Sequence, residues 1–112
     1  MSTAKTPYFG VVVCQADDED IIDKTMLAVC AQEVLQIKGI NACFVIGRFE
    51  QKKVGISARS DGTINVQLLM EKLGGGGHFT AAATQFDNKS IEDANENLLK
   101  VFDLYLNDAR AS

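Results

Sequence analysis

The chain has 112 residues, 46% of them apolar, enough for one compact domain with a core of its own. Eleven Lys and Arg stand against fifteen Asp and Glu, a net charge of -4 that argues against nonspecific nucleic-acid binding through bulk charge but leaves room for a local basic pocket. No apolar run reaches the length of a membrane helix, and residues 1–6 lack the hydrophobic stretch of a signal peptide.

Residues 1–7 are polar and expected to be a flexible N-terminal segment, with the domain running over 8–112. Tyr8 to Cys14 is short and valine-rich, the pattern of a strand buried on both faces. Asp17-Asp18-Glu19-Asp20 follows. With an apolar periodic segment directly behind them, these carboxylates read as the N-terminal cap of a helix rather than as a metal site. The helix carries Ile22, Met26, Val29, Cys30, Val34 and Ile37 on its apolar face and stops at Gly39. Ala42 to Phe49 and Val54 to Arg59 read as a hairpin across Glu50-Gln51-Lys52-Lys53.

In the second arm of that hairpin, Val54, Ile56 and Ala58 share one face, while Gly55, Ser57 and Arg59 share the other. The second face is small, hydroxylated and cationic, fit for an anionic ligand. After a turn at Asp61-Gly62, Asn65 is a plausible N-cap for a helix over Val66 to Leu73. Ala81 to Phe86 is a further strand, and Ser90 with Asp93 resembles a capping box opening a last amphipathic helix on Ile91, Ala94, Leu98, Val101, Phe102 and Tyr105. The order implies an α/β class: a single small domain with a mixed sheet of about four to five strands and about three helices. Cys14, Cys30 and Cys43 are odd in number and set among apolar neighbours, so they read as buried thiols, not as disulfides or zinc ligands.

Gly74-Gly75-Gly76-Gly77-His78 stands between the second helix and the last strand. Adjacent residues without Cβ atoms let a ligand approach backbone N–H groups, and those groups can form a concave anion site. A hinge or a helix C-cap is the alternative. Arg59 and Ser60 end a strand on the other side of the same helix, so one cleft can hold both elements, with arginine supplying a forked charge for phosphate. The competing reading pairs Arg59 with a carboxylate and leaves His78 solvated. With one histidine, no Walker-type loop and no aspartate–histidine cluster, the chain has no catalytic residue of its own in view.

Gly55-Ile56-Ser57-Ala58-Arg59-Ser60, Ile64-Asn65-Val66-Gln67 and Met70 through His78 together resemble the DHH-associated domain of DHH phosphoesterases. Within that group the likeness is to the C-terminal domain of bacterial membrane-anchored cyclic-di-AMP phosphodiesterases. The glycine–histidine element is shared by the wider superfamily, including the RecJ exonuclease and oligoribonucleases. The resemblance implies that a preceding DHH domain, absent here, holds two metal ions, usually manganese, and that this domain closes over the substrate. Carried over by position, Arg59 and Ser60 bind phosphate or nucleotide beside Ser57, Gly75, Gly76, Gly77 and His78 contact phosphate and sugar, and Thr80 and Ala81 line the base pocket. It also implies that Met1 is not the natural start and that the domain is the cytoplasmic end of a membrane-anchored bacterial protein, without membrane contact of its own.

Two functions follow as expectations. The first is the substrate-binding domain of a phosphodiesterase acting on cyclic di-AMP or a linear dinucleotide, inactive by itself and without a cofactor of its own. The second is a short-RNA or single-strand binding module of an exonuclease-like protein, against which Phe44, Phe49 and Phe79 read as scattered and core-like. An edge strand or the last helix leaves a homodimer open.

Overall fold

The computed structural model describes residues 3–8 and 10–111, with side chains placed for residue 8 and for 10–108. Nine elements follow one another: β1 (Thr3–Tyr8), β2 (Val11–Gln15), α1 (Lys24–Leu35), β3 (Ala42–Glu50), β4 (Lys53–Ser60), α2 (Val66–Lys72), β5 (Gly76–His78), β6 (Ala81–Asp87) and α3 (Ile91–Ala111). The strands make one mixed sheet in the order β1-β2-β3-β4-β6-β5. Only β2 and β3 are parallel, joined by α1 as a crossover; the other neighbours are antiparallel. The expected α/β class, mixed sheet and three helices are present, with two short edge strands, β1 and β5, completing a six-stranded sheet. Met1, Ser2 and Phe9 lie outside the described residues, and β1 occupies the stretch whose polar sequence reads as loose.

Side-chain alternation splits the core in two. Val11, Val13, Phe44, Ile46, Ile56, Ala58 and Ala82 point to the side covered by α2 and α3, where Leu69, Met70, Leu98 and Phe102 are buried among them. Phe102 organises this layer, stacking on Tyr8 with centroids 4.8 Å apart and meeting Phe44 edge-on at 5.9 Å. The opposite side holds a smaller cluster of Leu27 and Ala31 from α1 on Cys43 and Val45. Helix α1 lies mainly over β3 and β4, with Cys14 of β2 at its margin, so β6 and β5 are largely open on that side. Gly47 and Gly55 pair across β3 and β4, and a Cβ on Gly47 would run into Leu27. The glycine is what lets the helix come down so close.

The caps explain where each helix begins. Asn65 Oδ1 accepts from Leu68 N–H at the start of α2, and Ser90 and Asp93 form the reciprocal capping box expected for α3. The acidic run does something other than expected. Helix α1 is capped by Asp23, whose Oδ1 accepts from Thr25 N–H, not by residues 17–20. Asp18 instead reaches across the chain: its Oδ1 accepts from Ile91 N–H at the start of α3 and from Arg48 Nη2 at 2.8 Å. These bonds hold its carboxyl below the usual range, the Arg48 hydrogen bond contributing most.

The buried face of α1 also differs from the one expected. Leu27 and Ala31 are buried and Val34 partly so, whereas Met26, Val29, Cys30 and Ile37 are exposed. A twelve-residue helix on a sheet seats only a narrow stripe, and the glycines under Leu27 decide which stripe it is. Of the three thiols expected to be buried, only Cys43 is; Cys14 is half-buried and Cys30 exposed. Cys14 and Cys43 are hydrogen-bonded, which lowers the Cys14 thiol to about 7 and raises Cys43.

Candidate phosphate-binding face

Strand register builds the site. Arg59 pairs with Ala81, and Ala81 pairs with His78. Ser57 pairs with Ala83, and Ala83 with Gly76. Paired residues in an antiparallel ladder point the same way, so two rows cross the sheet on its α1 side: Arg59-Ala81-His78 and, one step on, Ser57-Ala83-Gly76. Arg59 and His78 are two strand spacings apart, roughly 10 Å. Ala83 and Gln85 are exposed on this side, while Ala82 and Thr84 are buried on the other. The floor between the two polar ends is therefore alanine and glycine.

The four glycines divide into distinct tasks. Gly74 (φ 89°) and Gly75 close α2: Gly74 N–H bonds Glu71 O, and Gly75 N–H bonds Met70 O at 2.8 Å. This is a Schellman end, and the C-cap reading is correct for these two. Gly75 also packs so tightly that a Cβ would fall on the Ala83 carbonyl oxygen, and Gly77 is similarly pressed on Ala82. Gly76 alone has neither constraint, since its φ is not positive and a Cβ there would meet nothing within 4 Å. It is the glycine the fold does not demand, and it lies beside Ala83 on the open face. The run is not a loop throughout: Gly76–His78 forms edge strand β5, and Phe79-Thr80 turns it back into β6.

Helix α1 forms a wall along this floor. Two adjoining concavities result, of about 260 Å³ with Ser57 and Arg59, and about 230 Å³ with Gly74, Gly75 and Gln85. Lys24, Ala83 and Thr84 line both. His78 stands exposed beyond them at the end of its row. Arg59 is half-buried, and its Nη1 donates only to the Ala58 carbonyl oxygen at 2.8 Å. Among the described residues no carboxylate pairs with it; the recorded ion pairs are Arg48–Asp18 and Lys53–Glu50. The charge of Arg59 thus has no acidic counterpart among the described residues.

The larger concavity, about 390 Å³ between β2 and the start of α3, is lined by Asp17, Asp18, Glu92 and Glu96. Its acids repel phosphate, so charge favours the smaller groove.

Several residues named from sequence fall elsewhere. Ser60 is 4% exposed and turned into the fold, its Oγ donating to Ile64 O at 2.7 Å and accepting from Gly62 N–H. It holds the turn after β4. Thr80 is exposed in the hairpin turn, where its carbonyl accepts from Ser60 N–H. Phe79 is not a core residue: it is 47% exposed, next to His78. Lys24 and Ala83 line the groove without belonging to the glycine–histidine or serine–arginine elements. Ala83 follows Ala81 at the two-residue period of a strand and was there to be read; Lys24 depends on where α1 sits, which no local pattern encodes. Among the described residues, no group of three or more His, Cys, Asp or Glu side chains is placed to hold a metal ion. No helix of the described residues is long and apolar enough to cross a membrane.

The chain is similar to known proteins. The DHHA1 domain model matches residues 6–108. The cyclic-di-AMP phosphodiesterase GdpP of Geobacillus thermodenitrificans is 40% identical over 89 residues, 80% of this chain and 14% of that protein. The cyclic-di-AMP phosphodiesterase PdeA of Listeria monocytogenes is 41% identical over 96 residues, 86% of this chain and 15% of its own length. The structure of the pGpG-specific phosphodiesterase PggH from Vibrio cholerae superposes with a TM-score of 0.56 at 20% identity, covering 88% of this chain and 34% of that one, a likeness of fold. The chain thus spans about one seventh of these curated relatives. With a family match over nearly its whole length, the chain belongs to the DHHA1 domain family.

Proposed function

We propose that the α1-side face of β4, β6 and β5 grips the phosphate and sugar of a nucleotide, as the substrate-binding part of a phosphodiesterase acting on cyclic di-AMP or a linear dinucleotide. The observation that carries this reading is the row Arg59-Ala81-His78, in which a guanidinium without a carboxylate partner faces a histidine across a floor with no bulk. Arg59 presents a fork to two phosphate oxygens, Ser57 a hydroxyl, and Gly76 its backbone to close approach. His78 donates to phosphate or a sugar hydroxyl from the far side.

The described residues do not fit a catalytic metal pair, and no hydrolytic step is assigned to them. The manganese that DHH chemistry uses would be held by a DHH domain elsewhere in a longer protein, and the present face would present the scissile phosphate to it. In such a protein this domain works on the cytoplasmic side.

Titration of cyclic di-AMP and linear diadenylate into the full-length protein, with Arg59→Ala and His78→Ala, tests the reading. Each substitution is expected to weaken binding by roughly ten- to a hundredfold, the worth of a hydrogen bond to a charged group. Unchanged affinity for both ligands in both variants removes it.

One observation favours a second reading. Exposed Phe79 beside His78 offers a stacking surface, which suits a short single strand. Affinity that rises with oligonucleotide length and falls steeply with salt would select that reading over the dinucleotide one.

A further inference from the structure

We propose that Lys24 is a second phosphate-binding residue of this groove, so that the site takes a linear ligand with two phosphates, one at Arg59 and one at Lys24. This rests on the reading of the Arg59–His78 face as a phosphate site, and it adds a residue outside the motifs that carry the family resemblance.

The groove has two concave parts, one containing Ser57 and Arg59, the other Gly74 and Gly75, and Lys24 borders both. It stands at their junction, opposite Ala83 and Thr84. Its ammonium is held over the ring of Phe49, 4.8 Å from the centroid. An aromatic face orients a cation without neutralising it. Among the described residues no carboxylate is paired with Lys24.

Its place in the helix points the same way. Lys24 is the first residue of α1, and no acidic residue lies in that first turn. A cation at a helix N-terminus opposes the positive end of the dipole, so α1 gains nothing from a lysine there and the contact with Phe49 is what holds it. The helix end itself is already capped by the Asp23 carboxylate, so an anion in the groove would gain from the ammonium. Lysine supplies a compact point charge on a flexible stem, and Arg59 a forked partner, which suits one terminal and one bridging phosphate.

The test is calorimetric titration of AMP and of 5′-phosphorylated diadenylate into the full-length protein, with chelator present to prevent turnover. Lys24→Ala is expected to weaken diadenylate about tenfold, consistent with one charge-assisted hydrogen bond, and to leave AMP within about twofold. Lys24→Arg is expected to restore most of the loss. Lys24 is exposed, so the substitution is not expected to disturb folding, and a melting curve checks this. An equal loss for both ligands, or none for either, overturns the assignment. Arg59→Ala separates the two ideas. If it weakens both ligands while Lys24→Ala discriminates neither, the phosphate face stands and only the second subsite falls. If Arg59→Ala weakens neither, both fall.

Discussion

Arg59 and His78 occupy the same face of the sheet with a single residue, Ala81, between them across three strands. Nothing but ladder register sets this relationship. A slip of one residue in either pairing would send one of the two side chains to the opposite face. The alanine between them leaves a trough rather than a ridge, and the trough can be tested by filling it.

Ala83→Leu places a branched side chain on the open floor beside Gly76. Ala83 is exposed, so the melting temperature is expected to move little, by the equivalent of roughly 0.5 kcal/mol. Nucleotide binding, measured by titration, should fall below detection. Retained binding would place the ligand elsewhere.

The glycines give a sharper contrast. Gly75→Ala forces a Cβ onto the Ala83 carbonyl and is expected to destabilise the fold by about 1–3 kcal/mol in urea melts. Gly76→Ala meets no atom within 4 Å and should leave stability within about 0.5 kcal/mol. Its effect should appear in binding alone. Two neighbouring glycines would then report separately on fold and on ligand.

Asp18 ties the turn after β2 to the start of α3 and to Arg48. Because its carboxyl is held below the usual range, its contribution is present above about pH 4 and is lost as pH falls through the lowered folded value. Asp18→Ala is expected to cost about 1 kcal/mol at pH 7, the worth of a helix-start hydrogen bond, with the half-exposed ion pair adding little. The gap between variant and parent melting curves should narrow as the pH is taken below the ordinary carboxylate range and Asp18 becomes protonated. A gap that persists unchanged there would assign the loss to packing.

The Cys14 thiolate accepts a hydrogen bond from the Cys43 thiol, and this brings Cys14 down to about 7. In a Cys30→Ser background, which removes the exposed thiol, alkylation of Cys14 should rise with a midpoint near that value. Cys43→Ala removes the donor and should move the midpoint up to or beyond the ordinary thiol value of about 8.5. A midpoint that stays put would show that the neighbour does not set it.

Much of this was readable in the chain. Asn65, the Ser90–Asp93 box and the apolar spacing of α3 are local signals, and each helix start they mark is where the pattern puts it. The two-residue period in β4 marks the face bearing Ser57 and Arg59 without reference to any partner strand. What stayed hidden depends on distant neighbours. The acids of residues 17–20 look like a cap for the next helix, yet Asp18 serves one 73 residues on. The stripe of α1 that is buried follows from the paired glycines beneath it, not from the helix's own apolar count. Ser60 sits one residue beyond Arg59, and strand alternation alone turns it away from the face that its neighbour occupies.

Helix α2 is bonded to the glycine hairpin at both ends: Val66 N–H to Phe79 O at the start, Gly75 N–H to Met70 O at the finish. Helix and hairpin thereby close into a ring of backbone bonds, with Leu69 and Met70 anchoring it in the core. A ring of this kind has little slack. The backbone of His78 is consequently fixed at the edge of the sheet before any ligand arrives, and the entropy of ordering that backbone is spent during folding rather than at binding. Substitutions at Met70, on the far side of the sheet, should therefore reach the histidine mechanically, as a change in its reach rather than in its chemistry.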